Sequence, residues 1–158
     1  MPSYRNTLTM LAALLGKLDD DALLAARLAD DMFPLATQIR YVCNMPGEAM
    51  ERLTGAAFTS REEDPATLEE ARELVERALA EVEDWSGKAL PDDDRPIALE
   101  LPNGMAFDLT AGEYVRDWAL PQLYFHGTAA YAIARAKGAQ LGKADYVGHM
   151  FRYFRKPG

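Results

Sequence analysis

The sequence predicts an all-α fold, a four-helix bundle with one small β-hairpin between its third and fourth helices. Apolar residues recur in steps of three and four along four long segments, which is the spacing of one helical face. Between the third and fourth segments the period changes to two, which is typical of strands. Four long helices with short connections favour a bundle, and a hairpin of this size needs such a bundle to pack against.

Length and composition fit a single domain over residues 1–158. Apolar residues make up 49% of the chain, enough for a hydrophobic core. The formal charge of −8 argues against nucleic acid and anionic membranes as partners. The single cysteine rules out an internal disulfide framework and a multi-cysteine metal site. No apolar run approaches the roughly 20 residues that span a bilayer, and no secretory signal pattern opens the chain. We therefore expect a cytoplasmic protein.

The first helix is predicted by a stripe of apolar residues on one face: Tyr4, Leu8, Leu11, Leu15 and Leu18. Three aspartates at 19–21 end it, and they suit the start of a following turn because the helix N-terminus favours anions. Residues 20–29 are predicted to form a short helix.

The second long helix is predicted to begin at Pro34, because the missing amide proton costs nothing in a first turn. Its apolar face consists of Leu35, Ile39, Val42, Ala49, Met50 and Leu53. Pro46 and Gly47 interrupt the pattern. A proline there removes a hydrogen bond and clashes with the preceding turn, so we expect a kink or break. Gly55 is predicted to close the helix.

The third helix is predicted to start with Asp64 as its N-cap and Pro65 at its first position. Its apolar face consists of Leu68, Ala71, Val75, Ala78, Val82 and Trp85. Its opposite face is rich in glutamate and is predicted to be solvated. Ser86 and Gly87 end the helix.

Two strands are predicted at about 97–101 and 105–109, where apolar residues alternate with polar or small ones. A two-residue turn at Asn103-Gly104 would place the apolar residues of the two strands on opposite faces. A three-residue loop, 102–104, pairs Leu99 with Phe107 and puts all six apolar residues on one face. We therefore predict the three-residue loop, with Gly104 left-handed.

The fourth helix is predicted to start at a capping box formed by Thr110 and Glu113 and to end at Gly138. Its inward stripe is predicted to contain Val115, Trp118, Gln122, Phe125, His126, Ala129 and Ile133. A tail follows, with one short amphipathic piece and a basic aromatic end at 151–156. We expect this end to dock on the bundle or on a second subunit.

His126 is the strongest candidate for a functional residue, because it is a titratable ring on an apolar stripe. Gln122 lies one turn before it, Gln38 occupies the inward face of the second helix, and Tyr131 lies roughly 140° round the fourth helix. Bundle cores are where helical proteins build ligand sites. These four residues are therefore the predicted ligand-binding set. The alternative is a core histidine bonded to a backbone carbonyl freed by Pro121.

A metal site at His126 would need more ligands than its own helix provides. The positions three and four residues away hold Gln122, Leu123, Ala129 and Ala130. Zinc usually takes three or four nitrogen, sulfur or carboxylate ligands. We therefore predict no cofactor, with a divalent metal at His126 as the alternative.

The chain resembles an uncharacterised bacterial family, a domain of unknown function related to the DinB/YfiT-like four-helix bundles. The resemblance rests on residues 28–35, Gln38, 120–126 and 130–135, and it extends to 141–143. The wider superfamily is similar to metal-dependent enzymes, including thiol S-transferases, with a three-histidine site. One of those histidines comes from the second helix and two come from the fourth helix, one turn apart.

The resemblance implies that His126 corresponds to the first histidine of the helix-four pair. The second histidine of that pair would fall at Ala130, and the helix-two histidine near Gln38, so two of the three ligands differ here.

Three hypotheses follow for the function. The first is a bundle that binds a small molecule in a polar pocket around His126. The second is a divalent-metal-dependent enzyme, such as a thiol S-transferase, with a degenerate three-histidine site. The third is a purely structural homodimer, and dimerisation is also what the resemblance implies.

Overall fold

Four helices and one hairpin form the fold in the computed structural model, which describes residues 1–155. The helices are α1 (Pro2–Leu15), α2 (Leu35–Thr54), α3 (Leu68–Trp85) and α4, a continuous helix over residues 111–136. Strands β1 (Pro96–Glu100) and β2 (Ala106–Thr110) precede α4. A short helix α5 (Lys143–Tyr146) and a 3₁₀ turn (Gly148–Tyr153) follow it. The predicted all-α bundle with a hairpin is confirmed, and Lys156 of the predicted basic tail lies outside the described residues.

The helices pack so that α1 and α2 each lie against both α3 and α4. The side chain of Arg5 near the start of α1 pairs with Glu83 near the end of α3, so these two helices are antiparallel. The centre is filled by fully buried aliphatic side chains: Leu8, Leu11, Leu14, Leu15, Leu35, Ile39, Leu123 and Ile133. Among residues 1–155, no helix combines the length and the hydropathy needed to cross a membrane.

The short helix predicted at 20–29 is wrong in extent, since only a 3₁₀ turn, Asp21–Ala25, forms there. Asp20 caps it by accepting a hydrogen bond from the Ala22 amide at 2.9 Å. Ala26 is extended and ends the turn. Its carbonyl accepts a hydrogen bond from the Leu35 amide at 2.9 Å, which draws the segment toward the start of α2.

A kink or break was predicted at Pro46, and the break is wrong, because α2 continues through this residue from Leu35 to Thr54. The packing of α2 against both α3 and α4 holds the helix where the proline removes one hydrogen bond. Gly47 has a different role from the predicted interruption: a Cβ there would overlap the Phe58 ring, so the glycine lets that ring lie directly on the helix. Gly55, with φ of 72°, ends α2 as predicted.

The N-cap predicted for α3 is also wrong. Thr67 caps the helix by accepting a hydrogen bond from the Glu70 amide at 3.1 Å. Asp64 instead accepts hydrogen bonds from the Arg40 guanidinium at 2.6 Å and from the Thr37 hydroxyl, both on α2. A bond to a charged donor is stronger than one to an amide, which favours this placement of the carboxylate.

The hairpin has the predicted register, with Ile97 opposite Leu109 and Leu99 opposite Phe107. Its strands lie one residue from the predicted bounds, and Gly104 has φ of 86°. The apolar residues are not equally buried: Ile97 and Leu99 join the core, whereas Phe107 is 40% exposed. On β1, the Ala98 carbonyl accepts a hydrogen bond from Arg52 of α2 at 3.4 Å, whereas the Phe107 ring of β2 lies near Trp118, with centroids 6.2 Å apart.

The fourth helix contains a π turn that the sequence pattern did not indicate. An initial segment, Ala111–Glu113, carries the predicted capping box, the π turn spans Tyr114–Ala119, and Leu120–Ala136 is α-helical. The wider π turn adds a residue to one turn and rotates the faces that follow. The buried stripe therefore contains Tyr114, Ala119, Leu123, His126, Gly127, Ala130 and Ile133. Phe125, predicted inside, is 58% exposed.

Candidate functional site

His126 lies on the inward face of α4, opposite Gln38 on α2. Its Nδ1 atom is 2.7 Å from the Gln38 Oε1 atom, and both side chains are buried. His126 belongs to the regular α-helical part of α4, Leu120–Ala136, which follows the π turn. Two of the four predicted site residues thus contact each other directly across the bundle.

The hydrogen bonds of Gln38 define the tautomer of His126. The Gln38 Nε2 atom donates to the Phe33 carbonyl at 3.2 Å, which orients the amide so that its Oε1 atom faces the ring. An oxygen can only accept, so the His126 Nδ1–H must donate. The neutral ring then carries its free lone pair on Nε2. Among residues 1–155, the bond to Gln38 is the only hydrogen bond of the His126 side chain.

Burial keeps this imidazole neutral. Desolvation lowers the pKa of His126 from 6.5 to about 4. A ring that accepts no proton near pH 7 can receive a hydrogen bond at Nε2 from a ligand. With 9% of its surface exposed, the side chain lies close to solvent but is mostly covered.

Aromatic rings surround the imidazole. The rings of Tyr41 and Phe125 pack edge-to-face against it, with centroids 4.9 and 5.2 Å away. Phe33 in turn packs against Tyr41 at 5.3 Å, and the Arg40 guanidinium covers the Tyr41 ring at 4.8 Å. The site is therefore a neutral nitrogen acceptor set in an apolar, aromatic wall.

An open apolar cleft of about 470 Å³ borders this wall through Phe125. Its other lining residues come from the segment before α2 and from α4: Leu28, Met32, Pro121, Tyr124, Thr128, Ala129 and Ala132. Its volume falls within the range of small-molecule sites. The cleft offers room for an apolar group next to Phe125, although His126 itself does not line it.

The other two predicted site residues lie elsewhere on α4. Gln122 lines a smaller cavity, one turn toward the π turn. The Tyr131 ring packs against Tyr146 of α5, with centroids 5.6 Å apart, on the side that faces the tail. Tyr131 therefore does not join Gln38 and His126.

Sequence reasoning missed Tyr41, which contacts the imidazole. It follows Gln38 by three residues, so helical spacing on α2 was a usable signal. Phe33 was harder to identify, because it lies in irregular backbone before the helix, where no periodicity applies.

The residues around His126 do not fit a divalent metal. Its Nδ1–H donates to the Gln38 amide oxygen, so that nitrogen cannot bind a metal. Ala130, one turn further along α4, has no ligand atom in its side chain. Among residues 1–155, no group of three or more histidine, cysteine, aspartate or glutamate side chains is arranged to hold a metal ion. A single imidazole nitrogen with aromatic neighbours lacks the ligand number that zinc requires.

Comparisons with known proteins agree with the resemblance expected from the sequence. Residues 3–147 match the family described as Domain of unknown function (DUF1993). The crystal structure of a DinB family member protein from Shewanella denitrificans is similar, with a TM-score of 0.76 and 32% sequence identity. That similarity covers 98% of this chain and 91% of the other. A search of curated proteins gave no match.

Proposed function

The chain belongs to the DUF1993 family, within the DinB-like superfamily of helical bundles, and from this premise we propose that it binds a small, uncharged, largely apolar molecule at His126. The ligand donates one hydrogen bond to the Nε2 atom of His126, and its apolar part packs on Phe125 and extends into the adjoining cleft. Ligand binding without a metal is the function that this donor set supports best.

The hydrogen bond between His126 and Gln38 is the observation that carries this proposal. It turns the imidazole into a fixed acceptor, because Nδ1 holds the proton and Nε2 keeps the lone pair. The Nε2 atom has no hydrogen-bond partner among residues 1–155 and is not fully buried, so a ligand that supplies a donor can reach it.

Phenol is a suitable probe, because it joins an aromatic ring to one hydroxyl donor. Anisole is the matched control, since its methyl ether cannot donate. In the ¹⁵N NMR spectrum of the imidazole, we expect phenol to shift the His126 Nε2 resonance saturably and anisole to leave it unchanged. Equal effects of the two compounds would contradict the proposal.

Two variants extend this test. His126→Phe keeps a ring of similar shape but removes the acceptor, so phenol should no longer protect the protein in thermal unfolding. Gln140→Leu, at an exposed site beyond α4, is the control and should respond like the wild type. Retained stabilisation of His126→Phe by phenol would place binding elsewhere.

The alternative remains a divalent-metal-dependent enzyme of the DinB/YfiT type, such as a thiol S-transferase. Elemental analysis of protein purified without a metal-affinity tag separates the two. Stoichiometric metal that disappears in His126→Ala would overturn the ligand-binding proposal. We also propose a cytoplasmic location. The net charge of −8 supports the further proposal that neither nucleic acid nor an anionic membrane is a partner.

A further inference from the structure

A second cavity, of about 120 Å³, lies between α2 and α4 at the π turn. Its lining residues come from these two helices: Met45, Glu48, Tyr114, Trp118, Ala119 and Gln122. It contains none of the residues that contact the His126 ring. A cavity of this size has room for a few water-sized groups.

Glu48 is the one charged residue that lines this cavity. Its Oε1 atom accepts a hydrogen bond from the Ser60 hydroxyl at 2.8 Å. The carboxylate makes no ion pair with any residue of 1–155, although it is only partly exposed. A partly buried carboxylate of this kind favours a cationic partner, because attraction between charges strengthens as water is excluded.

A buried hydroxyl adds a second polar group near the cavity. Tyr4 is 5% exposed, and within the described chain its hydroxyl has no hydrogen-bond partner. Burial raises the pKa of Tyr4, and the nearby groups of Tyr114 and Glu48 add to this, so the hydroxyl stays protonated. Leaving such a group unpaired costs about 1–3 kcal/mol. Tyr4 does not line the cavity, so its hydroxyl adds to the polar surroundings of the site and is not a contact for a ligand.

The cavity wall also contains two electron-rich rings, those of Tyr114 and Trp118. Tyr114 is 3% exposed, which holds its ring in place. Cations bind over the faces of such rings. The Arg52 guanidinium also lies near Tyr114, and its charge and hydrogen bonding partly offset the rise in the pKa of Tyr114 that burial causes. It donates as well to the Ala98 carbonyl of the hairpin at 3.4 Å, and it does not line the cavity. The lining residues therefore combine aromatic faces with one negative charge.

We propose that this cavity binds a small primary ammonium group, held by the Glu48 carboxylate and by the rings of Tyr114 and Trp118. The Gln122 amide supplies a further acceptor at the side nearer His126. The site takes simple aliphatic amines, or the amine end of a longer molecule. It is independent of the site proposed at His126.

n-Butylammonium chloride is the probe, and n-butanol at the same concentration is its uncharged control. The chain has two tryptophans, so its indole N–H groups give two NMR signals. Trp118 lines the cavity, whereas Trp85 packs against Phe58 at 6.1 Å and reports on a different region. We expect n-butylammonium, at matched ionic strength, to shift the Trp118 signal saturably and to leave Trp85 unchanged. If n-butanol shifted the Trp118 signal equally, or if n-butylammonium gave no saturable shift, this experiment on the wild-type protein alone would overturn the proposal.

Glu48→Gln keeps the size of the side chain and its acceptor for Ser60 but removes the charge. We expect its affinity for n-butylammonium to fall about tenfold or more, as for loss of one charge-assisted bond. Glu51→Gln, exposed and on the same helix, is the matched control and should bind like the wild type. Unchanged affinity of Glu48→Gln would contradict the proposal. His126→Phe should still bind the amine, which separates a failure here from a failure at His126.

Discussion

At the level of single residues, His126 combines burial, one fixed hydrogen bond and one free ring nitrogen. Gln38 provides the fixed bond, and the aromatic rings of Tyr41 and Phe125 provide much of the burial. Desolvation by burial is what favours the neutral imidazole over the charged one. The chemistry of the site therefore depends on keeping a proton away from Nε2.

The stability of the protein should fall between pH 6.5 and pH 4 because of His126. The pKa of His126 is about 4 in the folded chain, against 6.5 ordinarily, so the unfolded chain binds more protons in this window. The contribution is complete above pH 6.5 and is lost as the pH falls to 4, on the order of 1–3 kcal/mol. Denaturant unfolding at pH 7.5 and 4.5 should show a smaller loss for His126→Gln. An equal loss in the two proteins would contradict this.

Replacing Gln38 with glutamate should raise the pKa of His126. The new carboxylate would lie beside the ring, and an opposite charge favours the protonated form. We expect an increase of about one unit or more, measured by NMR titration of the ring protons. Gln140→Glu, on the exposed surface, is the control and should leave this pKa unchanged. A pKa that stays near 4 in Gln38→Glu would mean that the two side chains do not interact in solution.

Sequence reasoning identified His126 and Gln38 because each falls on an inward stripe of its helix. It could not foresee that Tyr131 packs against Tyr146, because that contact depends on how the tail folds back. Glu48 was not predicted as a site residue for a related reason. It lines a cavity with Tyr114, which lies at the start of a π turn that the sequence pattern did not indicate.

At the level of elements, close contacts determine where each helix runs. The Phe58 ring lies on α2 at Gly47, and the π turn sets the phase of α4. Local propensity predicted a kink or break at Pro46, and α2 shows no break there. Packing against two neighbouring helices outweighed that propensity, which a single sequence does not reveal.

Gly47→Ala should destabilise the protein by about 1–3 kcal/mol, because the added methyl group overlaps the Phe58 ring. Gly16→Ala is the matched control: the nearest atoms to its Cβ are carbonyl oxygens 3.6 Å away, so it should be neutral or slightly stabilising. Urea unfolding measures both. The loss of unfolding free energy caused by Gly47→Ala should be smaller in a Phe58→Ala background. A loss of the same size in both backgrounds would show that the Phe58 ring is not what the added methyl group overlaps.

At the level of the whole molecule, the bundle was predictable because its helices carry long apolar stripes. The hairpin register was predictable because side chains alternate between the two faces of a strand. Of the two loop lengths compared, only the three-residue loop keeps the apolar residues of both strands on one face. The difference in burial between the two strands was not predictable, because it depends on how the hairpin packs against the helices.

Large apolar side chains remain exposed around the cleft beside His126, among them Leu28, Phe33 and Phe125. Such patches are typical of interaction surfaces, and we expect copies of the chain to associate through this one, so that a ligand bound in the cleft would be enclosed between two copies. Analytical ultracentrifugation should then find a dimer that Leu28→Asp dissociates. Leu90→Asp, at a similarly exposed residue far along the chain, should remain dimeric. A monomeric wild type, or equal dissociation by both variants, would contradict this expectation.

The most direct test of the central claim is a long-range ¹H–¹⁵N NMR spectrum of His126 at pH 7, recorded with and without one equivalent of Zn²⁺. The structure predicts a neutral ring with its proton on Nδ1 and a bare Nε2. It also predicts that zinc leaves the spectrum unchanged, because the surrounding side chains lack further ligands. A charged ring, a proton on Nε2 or a stoichiometric shift on adding zinc would contradict the account.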